Sequence, residues 1–249
     1  MCKTICFLIL LSFFSCNENK TQDSVKKLHS YIDRVIPVPE PSGLDLNFDE
    51  SGFWIVSDEN STIYLIDSMR KEKKRFKVEG KDLEGITVID EVKIAVVLER
   101  SREVVILDTS GTELNRVKLY LSGDLNSGLE GITYNPVSKR YYVVNEKDPV
   151  LLLTLDENLM ELSRDTIDFI KDASGIYFDQ RDNKLWILSD ESQIIVKTNL
   201  SASEVFEKFK IKVEQPEGIT LNKTATRLYI ISDATGSLYV YDLEEYEQD

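Results

Sequence analysis

The sequence predicts an all-β fold, a five-bladed β-propeller, on three observations. A motif recurs five times at a spacing near 43 residues, each repeat holds strand-length apolar runs, and the segment missing from the last repeat is available ahead of the first. The motif is Ser42-Gly43-Leu44, Glu84-Gly85-Ile86-Thr87, Glu130-Gly131-Ile132-Thr133, Ser174-Gly175-Ile176 and Glu217-Gly218-Ile219-Thr220, with glycines 42, 46, 44 and 43 residues apart. A period of that size signals a repeat architecture.

In chain order, residues 1–16 (MCKTICFLILLSFFSC) are a candidate export signal. Lys3 precedes an apolar run that stops at small residues, and Ile5 to Phe14 is too short to span a bilayer stably. The ending resembles a bacterial lipobox, which implies lipidation at Cys16 and an envelope location on the outer membrane or periplasmic face. A plain secretory signal is the alternative. Cys2, Cys6 and Cys16 all lie in this segment, so disulfides, thiolate metal sites and a cysteine nucleophile are excluded from the rest of the chain. Residues 17–28 are polar and free of aromatics and read as a flexible tether. The domain is expected over 29–249, with membrane contact only through the anchor and as a monomer.

The segment 29–38 (HSYIDRVIPV) is the spare strand. Placed beside the last repeat, it would complete the fifth blade and remove an open sheet edge. Within each repeat the glycine motif opens the first strand. A second run follows: FWIVSD (53–58), IAVVLE (94–99), YYVVNE (141–146), LWILSD (185–190) and LYIISD (228–233). A third ends at Asp67, Asp108, Asp156, Asn199 and Asp242, and a more polar fourth closes four of the repeats. Short runs rich in Val, Ile, Tyr and Trp favour strands, and four strands per repeat with the outermost most polar describe a propeller blade. Trp54, Tyr142, Trp186 and Tyr229 fall at matching positions and are assigned to packing between blades. Asp67 and its equivalents are assigned to turns, where Asp and Asn bond to their own backbone.

Composition narrows the chemistry. The chain has 30 basic and 44 acidic residues, a formal net charge of −14. Such a chain repels nucleic acid and anionic membrane surfaces. His29 is the only histidine, and neither a phosphate loop nor a nucleophile elbow is present.

What remains is the residue before each glycine: Ser42, Glu84, Glu130, Ser174 and Glu217. The first strand of a propeller blade lines the central channel, so this position would face the axis in every blade. Three uncompensated carboxylates there would oppose one another's ionisation. A hard cation resolves the conflict, and calcium accepts hydroxyl and carboxylate oxygens in flexible geometry. Zinc and copper are poorly served without Cys or His. The alternative is a turn at the start of each blade with its carboxylates in solvent. A second acidic column ends the second strand: Asp58, Glu99, Glu146, Asp190 and Asp233. Antiparallel pairing returns that end to the face where the first strand began. These acids are either turn formers or contacts to the metal or to a ligand on the same face.

The Glu-Gly-Ile and Ser-Gly-Ile starts, with second strands ending Asp58-Glu59-Asn60, Leu98-Glu99-Arg100, Asn145-Glu146-Lys147 and Ser189-Asp190-Glu191-Ser192, resemble the SdiA-regulated family of exported propellers. The resemblance spans about 30–245. It implies five blades distantly similar to NHL repeats, a bound calcium and no established activity. The order Ser42, Glu84, Glu130, Ser174, Glu217 also resembles the calcium-binding order of calcium-activated nucleotidases. The first functional expectation is therefore a lipid-anchored, calcium-binding module that takes a small molecule, glycan or protein on its acidic face. The second is a calcium-dependent hydrolase of phosphate or carboxyl esters. There, Glu99 or Glu146 would be general base, with Arg100 and Lys147 the nearest cations.

Overall fold

The computed structural model describes residues 25–124 and 127–247. The signal segment, Cys16 and residues 17–24 lie outside them. Among the described residues there is no helix, so none long and apolar enough to cross a membrane.

The chain opens with β1 (Val25–Val35) and then builds four sheets in sequence order. The first blade is β2 (Pro41–Leu46), β3 (Gly52–Ser57), β4 (Thr62–Asp67) and β5 (Glu72–Lys77). The second is β6 (Leu83–Val88), β7 (Lys93–Leu98), β8 (Glu103–Asp108) and β9 (Glu113–Lys118). The third is β10 (Leu129–Asn135), β11 (Arg140–Asn145), β12 (Leu151–Leu155) and β13 (Glu161–Thr166). The fourth is β14 (Gly175–Asp179), β15 (Lys184–Ser189), β16 (Ile194–Thr198) and β17 (Val205–Lys210). The fifth takes β18 (Pro216–Leu221), β19 (Arg227–Ser232) and β20 (Ser237–Glu247) from the end of the chain. Burial follows strand order. β3 is buried along its whole length, whereas β5 is exposed at nearly every residue. This is why the fourth strand of each repeat reads as polar.

The ring closes as the sequence predicts, with one correction. β1 pairs antiparallel with β20, Ile32 opposite Val240 and Val35 opposite Ser237, and so supplies the outer strand of the fifth blade. It begins at Val25 rather than His29. Val25 to Lys27, placed in the tether by composition, pair in parallel with Lys208 to Lys210 of β17. The fourth and fifth blades thereby form one eight-stranded sheet. This stretch runs between two outer strands, and composition alone cannot separate such a polar strand from a linker.

The inner strands β2, β6, β10, β14 and β18 touch in a circle, β18 returning to β2. The repeat glycines permit that approach. A Cβ on Gly43 would stand 2.2 Å from the Glu84 carbonyl oxygen of the next blade. Five apolar clusters fill the junctions between blades. The repeated aromatics belong to them: Tyr142 stacks on Phe178 and Tyr229 meets Phe53 edge-on, in each case across a junction. Asp67, Asp108, Asp156 and Asn199 each accept backbone N–H bonds within their own turns, as assigned.

Candidate metal and ligand site

In four of the five blades a bulge positions the residue before the glycine. In β10, Leu129 lies opposite Asn145 and Gly131 opposite Val144, so Glu130 is the extra residue. Ser42 and Glu217 are extra in the same way in β2 and β18, and the β6 register slips across Glu84-Gly85. Ser174 stands just ahead of β14. A bulge redirects the side chain that would otherwise follow the alternation of the strand. Here it turns the residue toward the axis.

The second acidic column is tied to the first through the backbone. The amides of Asp58, Glu99, Glu146 and Asp233 donate to the carbonyls of Glu40, Asp82, Gly128 and Gln215. Each of these carbonyls lies two residues before the axial position. Glu40, Asp82 and Gln215 hold positive φ (38°, 55° and 43°) to present them. Both columns therefore reach one cup of about 300 Å³, and all ten predicted residues line it. Asp82, Asp172 and Arg100 complete the wall. Beneath the carboxylates, only about 10 Å³ remains between the repeat glycines and Leu44, Ile86, Ile132, Ile176 and Ile219. The channel is narrow at this level.

Sequence reasoning missed Asp82 and Asp172. Their signal is positional: Glu40, Asp82, Gly128, Asp172 and Gln215 occupy one repeat column, two residues before the axial one. That column is chemically mixed and does not stand out as acidic. Asp172 accepts bonds from the Ser189 hydroxyl and the Glu191 amide.

The two axial serines are fixed across blades. Ser42 donates to the Leu83 carbonyl and Ser174 to the Pro216 carbonyl, both at 2.6 Å. With its proton engaged in that bond, each hydroxyl oxygen has only lone pairs left to offer. The axial glutamates are bound differently. Glu84 is 8 % exposed and Glu130 9 %, and among the described residues neither carboxylate has a hydrogen-bond or ion-pair partner. Both carboxylates line the cup rather than project from the outer surface of the blades.

Ten carboxylates and one guanidinium line the cup, and the electrostatics reflect that imbalance. Burial, then the neighbouring acids, pushes the Glu84 and Glu130 carboxyls well above the usual range. Glu217 is raised to about 8 by burial and then by Asp190 and Asp233. Asp58 rises to about 6, again mainly through burial. Glu99, Glu146, Asp190 and Asp233 are raised for the same first reason. The cations beside the cup are engaged. Arg100 pairs with Asp82, and the Lys147 Nζ lies 2.7 Å from Glu146 and 3.4 Å from Glu191.

A donor set of carboxylates and of hydroxyls whose protons are engaged elsewhere, without nitrogen or sulfur, suits a hard divalent cation. The five axial residues share one cup. The one acidic triple among the described residues that brings one oxygen from each member within 4.8 Å of the others, however, is Glu99, Glu130 and Glu146.

Comparison with known proteins agrees with the architecture. The profile of the SdiA-regulated family matches residues 24–240. A crystal structure of Myxococcus xanthus glutaminyl cyclase superposes with a TM-score of 0.71 at 9 % identity, covering 92 % of this chain and all of that one. A chain of a nidogen–laminin complex gives 0.63 at 16 % identity, with 89 % of each chain covered. A chain of Kuenenia stuttgartiensis hydrazine synthase gives 0.57 at 15 % identity, over 79 % of this chain and 56 % of that one. At such identities the likeness is one of fold.

Proposed function

This chain belongs to the SdiA-regulated family, and from that premise we propose that it is a calcium-binding propeller acting as a ligand- or partner-binding module at the cell envelope. The observation that carries the reading is the pair Glu84 and Glu130. These are buried carboxylates from adjacent blades, without partners among the described residues, in a cup holding eight further acids. Leaving buried charges uncompensated is costly, and a divalent cation relieves that cost. Ser42, Glu84, Glu130, Ser174 and Glu217 would hold calcium, which would neutralise the ring and tie the five blades together. The remaining acids, Asp58, Glu99, Glu146, Asp190 and Asp233, would face the ligand. Cys16 would carry the lipid that fixes the module to the membrane.

A binding role is favoured over ester hydrolysis by the engagement of Arg100 and Lys147. A phosphate ester needs a cation besides the metal, and both nearby candidates are committed to acids. The test is a pair of measurements on the purified protein. Calcium should raise the melting temperature by about 5 °C or more at saturation, chelator should reverse the rise, and magnesium should do much less. Assays with calcium against a nucleoside diphosphate, phytate, a lactone and an aryl ester should give no turnover. Turnover lost with chelator and with Glu130→Gln would replace the binding role with the hydrolase. Indifference to calcium would end both.

A further inference from the structure

We propose a second divalent-cation site in the cup, off the axis at the junction of the second and third blades, formed by Glu99, Glu130 and Glu146. One carboxylate oxygen from each lies within 4.8 Å of the other two, the reach of ligands around one ion at calcium–oxygen distances of about 2.3–2.6 Å. Glu130, more than nine-tenths buried and without a partner among the described residues, is directed into this triple.

The reason the triple forms here is local. At the repeat column of Glu40, Asp82, Asp172 and Gln215, the third blade has Gly128. A Cβ there would fall 2.5 Å from the Glu99 carbonyl oxygen and 3.0 Å from Glu99 Cγ. Glycine thus leaves room for Glu99 to lean across the junction, where its Oε1 accepts the Gly128 amide at 3.2 Å. Glu99 then stands beside Glu130 and Glu146 of the next blade instead of over its own.

The inference rests on the calcium reading of the same cup and adds to it: Glu130, with two oxygens, would serve both the axial ion and this one. Two divalent ions also answer the charge balance better than one, since ten carboxylates face a single guanidinium. Lys147 holds one oxygen of Glu146 at 2.7 Å, but Glu191 at 3.4 Å gives it another partner when an ion arrives. Three protein oxygens leave this second ion with free coordination positions. Those positions would take hydroxyl or carbonyl oxygens of a ligand.

Ion counting by equilibrium dialysis of the purified full-length protein tests the proposal, with melting in chelator confirming that each variant folds. Two calcium ions per chain are expected, falling to one in Glu99→Gln and in Glu146→Gln. Lys147→Met, which removes a competing cation, should tighten the weaker of the two sites. One ion, lost in Glu217→Gln and unaffected by Glu99→Gln or Glu146→Gln, would overturn the second site and leave the axial one. One ion, lost in Glu146→Gln and retained in Glu217→Gln, would support the triple and overturn the axial ring. No bound ion would overturn both.

Discussion

The Ser42 hydroxyl donates to the Leu83 carbonyl at 2.6 Å, across the junction between the first and second blades. Ser174 repeats the bond with Pro216 between the fourth and fifth. Both acceptors sit directly before an axial glutamate, so the two serine positions also fix where Glu84 and Glu217 emerge. In chelator, Ser42→Ala and Ser174→Ala should each lower stability by about 1–2 kcal/mol, the cost of a lost hydrogen bond and an unsatisfied buried carbonyl. Urea unfolding measures this. An unchanged midpoint would show that the bonds add nothing.

Glycine substitutions should separate close packing from backbone conformation. Gly43→Ala places a Cβ against a backbone oxygen at 2.2 Å and should cost about 3 kcal/mol or more, or prevent folding. Gly236→Ala meets no atom within 4 Å and carries only the strain of φ +57°, about 1–2 kcal/mol. Comparable losses would contradict the ring-packing account.

Ring closure is testable by truncation. A chain starting at Val25 should melt like the longer one. A start at Ile36 removes β1 and bares the edges of both β17 and β20, and its melting should fall by many degrees or lose cooperativity. A start at His29 should lie between, because it loses the pairing of Val25 to Lys27 with Lys208 to Lys210, the Lys27–Glu247 and Leu28–Tyr246 pairs and the buried Leu28, but keeps the rest of β1 on β20. If the Ile36 start matches the Val25 start, β1 does not close the ring.

The pH dependence should change sign with calcium. The Glu217 carboxyl is raised to about 8 and Asp58 to about 6, chiefly by burial. Between the ordinary carboxylate range and those values, the folded state holds protons that the unfolded chain has released. Stability without calcium should therefore fall as pH rises from about 5 to about 8. Calcium binds the ionised cup, so its stabilising effect should grow over the same interval. Melting curves in chelator and in calcium at each pH check both slopes, and a chelated protein that gains stability toward pH 8 would refute the account.

Removing an axial charge should stabilise the metal-free protein while impairing the site. Glu130→Gln eliminates a buried carboxylate whose ionisation is opposed by burial and by Glu84 and Glu217. In chelator at about pH 8 it should melt higher than the parent, by at least about 1 kcal/mol in stability. Its response to calcium should shrink more than that of Ser174→Ala. A variant less stable in chelator would mean that Glu130 has a packing role instead.

Much of this was legible in the sequence because a propeller repeats its chemistry at a fixed spacing. The motif glycines announce five inner strands, and the acids after the second strands announce a shared face. Three features were hidden. The bulges at Ser42, Glu130 and Glu217 are events between paired strands and leave no mark beyond the glycine. The pairing of Val25 with Lys208 joins residues far apart in sequence, through side chains that look like linker. Glu99 leaning across the junction depends on Gly128, which reads as an ordinary loop glycine until it is aligned with Glu40, Asp82, Asp172 and Gln215.

The central claim, that the axial residues hold calcium, is tested most directly by locating the ion. A crystal grown with calcium, measured where calcium scatters anomalously, should show a peak among Ser42, Glu84, Glu130, Ser174 and Glu217. Its oxygen distances should be about 2.3–2.6 Å. A well-ordered cup whose anomalous map is featureless at saturating calcium would contradict the account.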